Sequence, residues 1–227
     1  MSLEDREKEQ STRQIVLHFI RHAEAKYSGR QDFEGELTDE GRRQSLQAAK
    51  RLFKELSQDS VLAIYSSPRL RAQQTAMLIK LELEKLGRIG DKRLFFHSPT
   101  KTFSRFDLTD KMTRGSLDLM EEGGDFVKTW LAHPGQIATG FNSFFKKFFK
   151  LAGRIDPVGP DLHVVMVTHS GPSEVFAAGL TKDGLTGSLD NCEEFKIELP
   201  VCGDPVLYYK NTRNEITPIW RNCWRLS

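Results

Sequence analysis

The sequence predicts an α/β protein: a mostly parallel central sheet with helices on both faces, an antiparallel pair at one edge, and a lid-like insertion. Three observations carry this. Apolar runs that scarcely alternate, Ile15 to Ile20 and His163 to Thr168 among them, read as strands buried on both faces. Helical stretches with an apolar stripe separate these runs, as crossovers between parallel strands require. Two later runs, Glu194 to Leu199 and Val206 to Lys210, are joined instead by a short Pro/Gly-containing turn, which suits antiparallel pairing.

The elements follow in order. Residues 1 to 13 are charged and read as a solvated tail, so the fold begins with the strand at Ile15. Thr38 caps a helix whose first turn carries Asp39 and Glu40, and Leu46, Ala49, Leu52, Phe53 and Leu56 form its apolar stripe. A strand spans Ala63 to Ser66. Pro68 then opens a second helix, which Gly87 stops. Leu94 to His97 is a short strand. Between Ser98 and Gly140 the pattern dissolves into Thr, Ser, Asp, Gly and Lys, an insertion long enough to be read as a substrate-covering lid or as surface decoration. A helix over about 141 to 151 keeps Phe144, Phe145, Phe148 and Phe149 inward and its lysines outward, and another helix over about 172 to 180 follows the strand ending at Thr168.

Composition restricts the function. A chain of 227 residues with 38% hydrophobic content can bury a sizeable core, and no Pro/Gly/Ser linker divides it, so residues 14 to 227 are expected to form one domain. The 33 basic and 31 acidic residues are interspersed and leave a formal charge of +2, which gives no global field for nucleic acid or a membrane. Cys192, Cys202 and Cys223 form no Cys-x-x-Cys pair, so neither a disulfide framework nor a zinc site is indicated and a cytoplasmic setting is expected. The N-terminal segment has no apolar core of a signal peptide, and no apolar run reaches the ~18 residues of a spanning helix. No residue pattern requires an oligomer.

Chemistry collects at strand ends, where an open α/β sheet places its ligands. One apolar strand ends in Arg21-His22, another in Ser66-Ser67-Pro68-Arg69, a third in Thr168-His169-Ser170-Gly171. Two arginines and two histidines at such ends suit a dianionic phosphate. Phosphoryl transfer needs a nucleophile, neutralisation of the equatorial oxygens and a proton for the leaving group. His22 is the expected nucleophile, because a neutral imidazole is nucleophilic near neutral pH. Arg21 and Arg69 are the expected phosphate clamp, their planar guanidinium forks fitting a phosphoryl group better than lysine does. His169 is expected to donate a further hydrogen bond or charge. Arg71, two residues beyond Arg69, is expected to turn towards solvent. Glu24 either touches substrate or caps the following loop. His18 and His22 are four apart, but their strand context argues against a metal pair.

These motifs resemble the histidine phosphatase superfamily, the phosphoglycerate-mutase-like proteins. The resemblance rests on Arg21-His22-Ala23, on the Ser66-Ser67 to Thr75-Ala76 element, on Thr168-His169-Ser170-Gly171, and on Leu37-Thr38-Asp39-Glu40-Gly41, in the family's order over residues 15 to about 217. It implies a phosphohistidine intermediate on His22, a pocket of Arg21, Arg69 and His169, no metal or other cofactor, and a carboxylic general acid before the late histidine. Glu121, in Leu119-Met120-Glu121, is the nearest match for that acid, with Glu122, Asp118 and Asp107 as competitors. Ala23 replaces the family's usual glycine, and the mutase-like Gly-x-Trp-Glu-Gly continuation is absent. The implied activity is a phosphohydrolase acting on a phosphorylated small molecule or phosphoprotein. A phosphomutase and an inactive phosphate-binding scaffold are the alternatives, with selectivity set by the 98 to 140 insertion.

Overall fold

The computed structural model describes residues 14–26, 35–87, 94–96, 159–169, 174, 177, 178, 180, 181, 188–200, 204–210 and 212–216. The strands are β1 (Gln14–Arg21), β2 (Val61–Ser66), β3 (Leu94–Phe96), β4 (Leu162–Thr168), β5 (Glu194–Pro200), β6 (Val206–Tyr209) and β7 (Thr212–Glu215). Two helices, α1 (Asp39–Glu55) and α2 (Leu70–Leu86), follow β1 and β2. The strands form one sheet in the order β3-β2-β4-β1-β5-β6-β7. Its first four members are parallel, while β5, β6 and β7 run antiparallel to their neighbours. The antiparallel edge is therefore three strands rather than the expected pair. The added strand, Thr-Arg-Asn-Glu, is largely exposed and has no apolar residue from which to read a period.

The central strands β1 and β4 are buried on both faces, as their unalternating sequences require. On one face Ile20, Leu62, Ile64, Val165 and Val167 pack with Ala48, Ala49 and Leu52 of α1 and Ala72, Ala76, Ile79 and Leu83 of α2. On the other, Leu17, Phe19, Val164, Met166, Phe195 and Ile197 are all buried, and the Phe19 and Phe195 rings stack with centroids 4.4 Å apart. Each large apolar side chain so enclosed contributes roughly 1.5–3 kcal/mol relative to exposure. Glu174, Ala177, Ala178 and Leu180 are helical and buried, within the expected helix after β4. Among the described residues no helix is long and apolar enough to cross a membrane.

The start of α1 and the end of α2 follow the sequence signals, while α2 begins at Leu70, after an extended Arg69, rather than at Pro68. Thr38 Oγ1 accepts the Gly41 N–H at 2.9 Å, and Gly87 ends α2 in the left-handed region at φ 70°. The α1 terminus also grips the chain just after β1. Thr38 N–H donates to the Glu24 carbonyl at 3.1 Å, Gln44 Oε1 accepts the Glu24 N–H at 2.9 Å, and the Thr38 hydroxyl donates to the Glu24 carboxylate at 2.7 Å. Glu24 thus takes the loop-capping role of its two readings. Gly41 permits this approach, since a Cβ there would stand 2.0 Å from the Glu24 carbonyl oxygen.

His18 is fully buried and faces α1 rather than sharing a site with His22. Its Nε2 lies 3.0 Å from His163 Nδ1 and its Nδ1 3.3 Å from Glu194 Oε2. Parallel pairing of β1 with β4 and antiparallel pairing with β5 bring these three residues together. Burial, followed by the charges of His18 and Lys196, lowers the His163 pKa to about 3.

Candidate functional site

The carboxyl ends of β1, β4 and β2 meet at one edge of the sheet. In register Arg21 stands beside Thr168 and Ser66 beside Val167. The pairing continues past the strands, with His22 N–H donating to the Thr168 carbonyl at 2.8 Å and Ser67 N–H to the Val167 carbonyl at 2.9 Å. Arg21, His22, Ser67 and His169 are therefore neighbours because β4 lies between β1 and β2. The His22 and His169 rings meet edge to face, their centroids 5.1 Å apart.

His22 is buried and its orientation is fixed. Its Nδ1 donates to the Ala23 carbonyl at 2.7 Å, which puts the proton of the neutral ring on Nδ1 and leaves a lone pair on Nε2. Thr75 Oγ1 accepts the Ala23 N–H at 3.1 Å and donates to the Arg71 carbonyl at 2.8 Å, tying the histidine loop to α2. Ala23 lacks a positive φ, so its Cβ is accommodated there without backbone strain. Burial first, then the charges of Arg71 and Arg21, lowers the His22 pKa to about 3 against the opposing effect of the Ala23 bond. The imidazole is neutral across the physiological range.

Arg71 is the residue that sequence reasoning missed. It does not turn to solvent: its Nε donates to His22 Nε2 at 3.0 Å, and its Nη2 lies 3.5 Å from His169 Nδ1. The cause is local. Arg69 precedes α2 as its extended N-cap, with φ −73° and ψ 137°, so the helical offset between positions 69 and 71 does not apply. Arg71 sits in the first turn, where side chains tilt towards the helix N-terminus, and that terminus faces the sheet edge. The spacing Ser-Ser-x-x-x-Arg held a signal, because the arginine that follows Ser66-Ser67 after three intervening residues is Arg71.

The other expected residues fall at the same edge. Arg69 is half-buried, and its charge is one of those holding the His169 pKa down. Arg21 Nη1 donates to the Leu189 carbonyl at 2.5 Å, while its Nε is buried with no hydrogen-bond partner among the described residues. His169 Nε2 lies 2.6 Å from Ser67 Oγ, which also accepts the Arg69 N–H at 3.2 Å. Burial, then the charges of His22, Arg71, Arg69 and Arg21, holds the His169 pKa well below the usual histidine value. The α2 N-terminus points into this cluster with no acidic residue in its first turn, an arrangement that favours an anion. Glu121 and its competitors Glu122, Asp118 and Asp107 lie outside the described residues, as does the 98 to 140 insertion.

A model of the histidine phosphatase superfamily (branch 1) matches residues 17–94, which include β1 from Leu17 onward, His22, α1, Ser67, Arg71 and Thr75. No curated protein sequence matches the chain. Among solved structures, the phosphoglycerate mutase of Bacillus anthracis str. Sterne is similar at 14% identity and a TM-score of 0.52, covering 95% of this chain and 97% of its own. The protein histidine phosphatase SixA in complex with tungstate is similar at 14% identity and a TM-score of 0.50, over 88% of this chain and 96% of its own. Those two structures share the chain's fold, and over residues 17–94 the chain is similar to the histidine phosphatase superfamily.

Proposed function

We propose that the protein is a phosphohydrolase that removes a phosphoryl group from a phosphorylated small molecule or protein side chain through a phosphohistidine on His22. The observation that carries this reading is the fixed His22 ring, with a neutral Nε2 that faces the Arg71 guanidinium inside a cluster of three arginines. A buried, neutral imidazole with one assigned lone pair is a nucleophile, and permanent positive charge around it suits a dianionic phosphate.

The reaction follows from these groups. On binding, the phosphoryl oxygens replace His22 Nε2 as acceptors of the Arg71 N–H, which frees the lone pair. Nε2 then forms a bond to phosphorus as the ester P–O bond breaks, while Arg21, Arg69 and Arg71 neutralise the oxygens and His169 closes the pocket beside them. A carboxylic acid, assigned to Glu121, gives its proton to the leaving oxygen. In the second step that carboxylate takes a proton from water, whose oxygen attacks phosphorus as the P–N bond breaks and inorganic phosphate leaves. Residues 98–140 supply substrate selectivity in this reading. The unpaired, buried Cys192 thiol suits a reducing, cytoplasmic setting.

Hydrolysis of para-nitrophenyl phosphate, with rapid-quench intact mass of the enzyme, tests the proposal. Turnover and an acid-labile phosphoryl adduct are expected, both lost in folded His22→Ala. Full activity in that variant would overturn the mechanism, and retention of the phosphoryl group in a rearranged product would make the enzyme a mutase.

A further inference from the structure

We infer that Glu174 is a positioning residue for Arg21, acting through the backbone of Leu189. The inference rests on the phosphoryl-pocket reading above. Glu174 lies five residues after His169 and is 2% exposed. Its Oε1 accepts the Leu189 N–H at 2.9 Å within the protein interior. The carbonyl of the same residue, itself fully buried, accepts from Arg21 Nη1 at 2.5 Å. One buried carboxylate thus anchors the residue whose carbonyl, on the far side of its Cα, accepts from a pocket guanidinium.

The segment gripped in this way meets Arg21 at its backbone as well. Arg21 N–H donates to the Glu193 carbonyl at 3.0 Å, and its own carbonyl accepts the Cys192 N–H at 3.1 Å. Cys192 holds a left-handed backbone, φ 58°, unusual for a residue with a side chain, so the turn is shaped to return towards β1. The strand pairing alone would fix the Arg21 main chain. The guanidinium has a different dependence: the hydrogen bond to the Leu189 carbonyl anchors one end of it, and Arg21 Nε has no partner among the described residues. That carbonyl lies in the peptide after Leu189, and Glu174 fixes the peptide before it, so the carboxylate limits where the carbonyl points by pinning Leu189 from its other side. Burying a carboxylate costs several kcal/mol unless its acceptors are used, so its place here is more than solvated surface charge.

A double-mutant cycle tests this, read first by vanadate affinity in titration calorimetry. Glu174→Ala is expected to weaken vanadate binding about tenfold, and to have no further effect in an Arg21→Ala background. Glu174→Gln, which keeps an oxygen acceptor for the Leu189 N–H, is expected to restore most of the affinity. Equal losses in both backgrounds, or no loss at all, would overturn the inference. If Glu174→Ala does not fold, Glu174→Asp, one methylene short of Leu189, goes through the same cycle: a loss confined to the Arg21 background supports the coupling, and equal losses overturn it. The Arg21 Nε–H resonance gives a second readout that needs no ligand: Glu174→Ala should shift or broaden it while leaving those of Arg69 and Arg71 in place. Wild-type protein that binds no vanadate would sink the phosphoryl-pocket reading, and the Arg21 resonance would still decide the coupling to Glu174.

Discussion

Arg71 Nε donates a hydrogen bond to His22 Nε2 over 3.0 Å, so a permanent cation rests on the ring nitrogen that carries the lone pair. The contact has two consequences. It adds to burial in keeping the imidazole neutral, because a proton on Nε2 would meet a fixed positive charge, and it stations a guanidinium where phosphoryl oxygens would arrive.

Removing this side chain should therefore be costlier than removing Arg69. Arg71→Ala is expected to lower kcat about 10²- to 10³-fold, the usual loss when a preorganised transition-state donor is deleted. Arg69→Ala, whose side chain acts on the site through its charge, is expected to lose about tenfold or less. Steady-state kinetics on para-nitrophenyl phosphate for both variants would reverse this ranking if Arg69 were the principal clamp.

The contrast between these two arginines shows what the sequence could and could not convey. Thr38 as a cap, Gly87 as a stop and the strand-end positions of His22 and His169 were legible, since each rests on local backbone chemistry. The Ser66-Ser67 spacing marked Arg71, but helical periodicity gave it the wrong direction, because that direction depends on where α2 begins and on which end of the helix meets the sheet. The contact of His18 with His163 spans 145 residues and arises from the place of β4 beside β1, which periodicity does not encode. β7 escaped for another reason: an exposed edge strand of polar residues carries no apolar alternation.

Stability should fall as the solution is acidified below about pH 6.5. The folded protein holds His22 and His163 neutral down to about pH 3, whereas the unfolded chain binds protons at both near the ordinary histidine value. Below about 6.5 the unfolded state therefore binds more protons, and stability present at neutral pH is lost as pH drops towards 3. Each buried histidine contributes at most about 1.4 kcal/mol per pH unit in that window. Urea midpoints measured from pH 7.5 to 4.5 should show this slope, and His163→Gln should flatten it. An unchanged slope in that variant would remove His163 from the account.

Gly41 should tolerate no side chain. A Cβ at this position would stand 2.0 Å from the Glu24 carbonyl, a backbone atom that cannot rotate away. Gly41→Ala must push α1 off the segment that follows His22, breaking the bonds from Thr38 and Gln44 to Glu24. We expect a loss of about 2–4 kcal/mol in stability and a fall in kcat/KM at temperatures where the variant is still folded. Thermal denaturation and kinetics together check it: a variant with wild-type Tm would mean that α1 can shift freely.

Ser67 should act on catalysis only by way of His169. Arg71 donates to His169 Nδ1, so the neutral ring carries its proton on Nε2 and gives it to Ser67 Oγ at 2.6 Å. The same oxygen accepts the Arg69 N–H, which links the histidine to the start of α2. Ser67→Ala strands a buried ring N–H and frees the imidazole to turn, at an expected cost of about 1–3 kcal/mol in stability and a drop in kcat. In a His169→Ala background the same substitution should leave kcat unchanged, since the group it orients is already gone. Equal kcat losses with and without His169 would show instead that Ser67 meets the substrate directly.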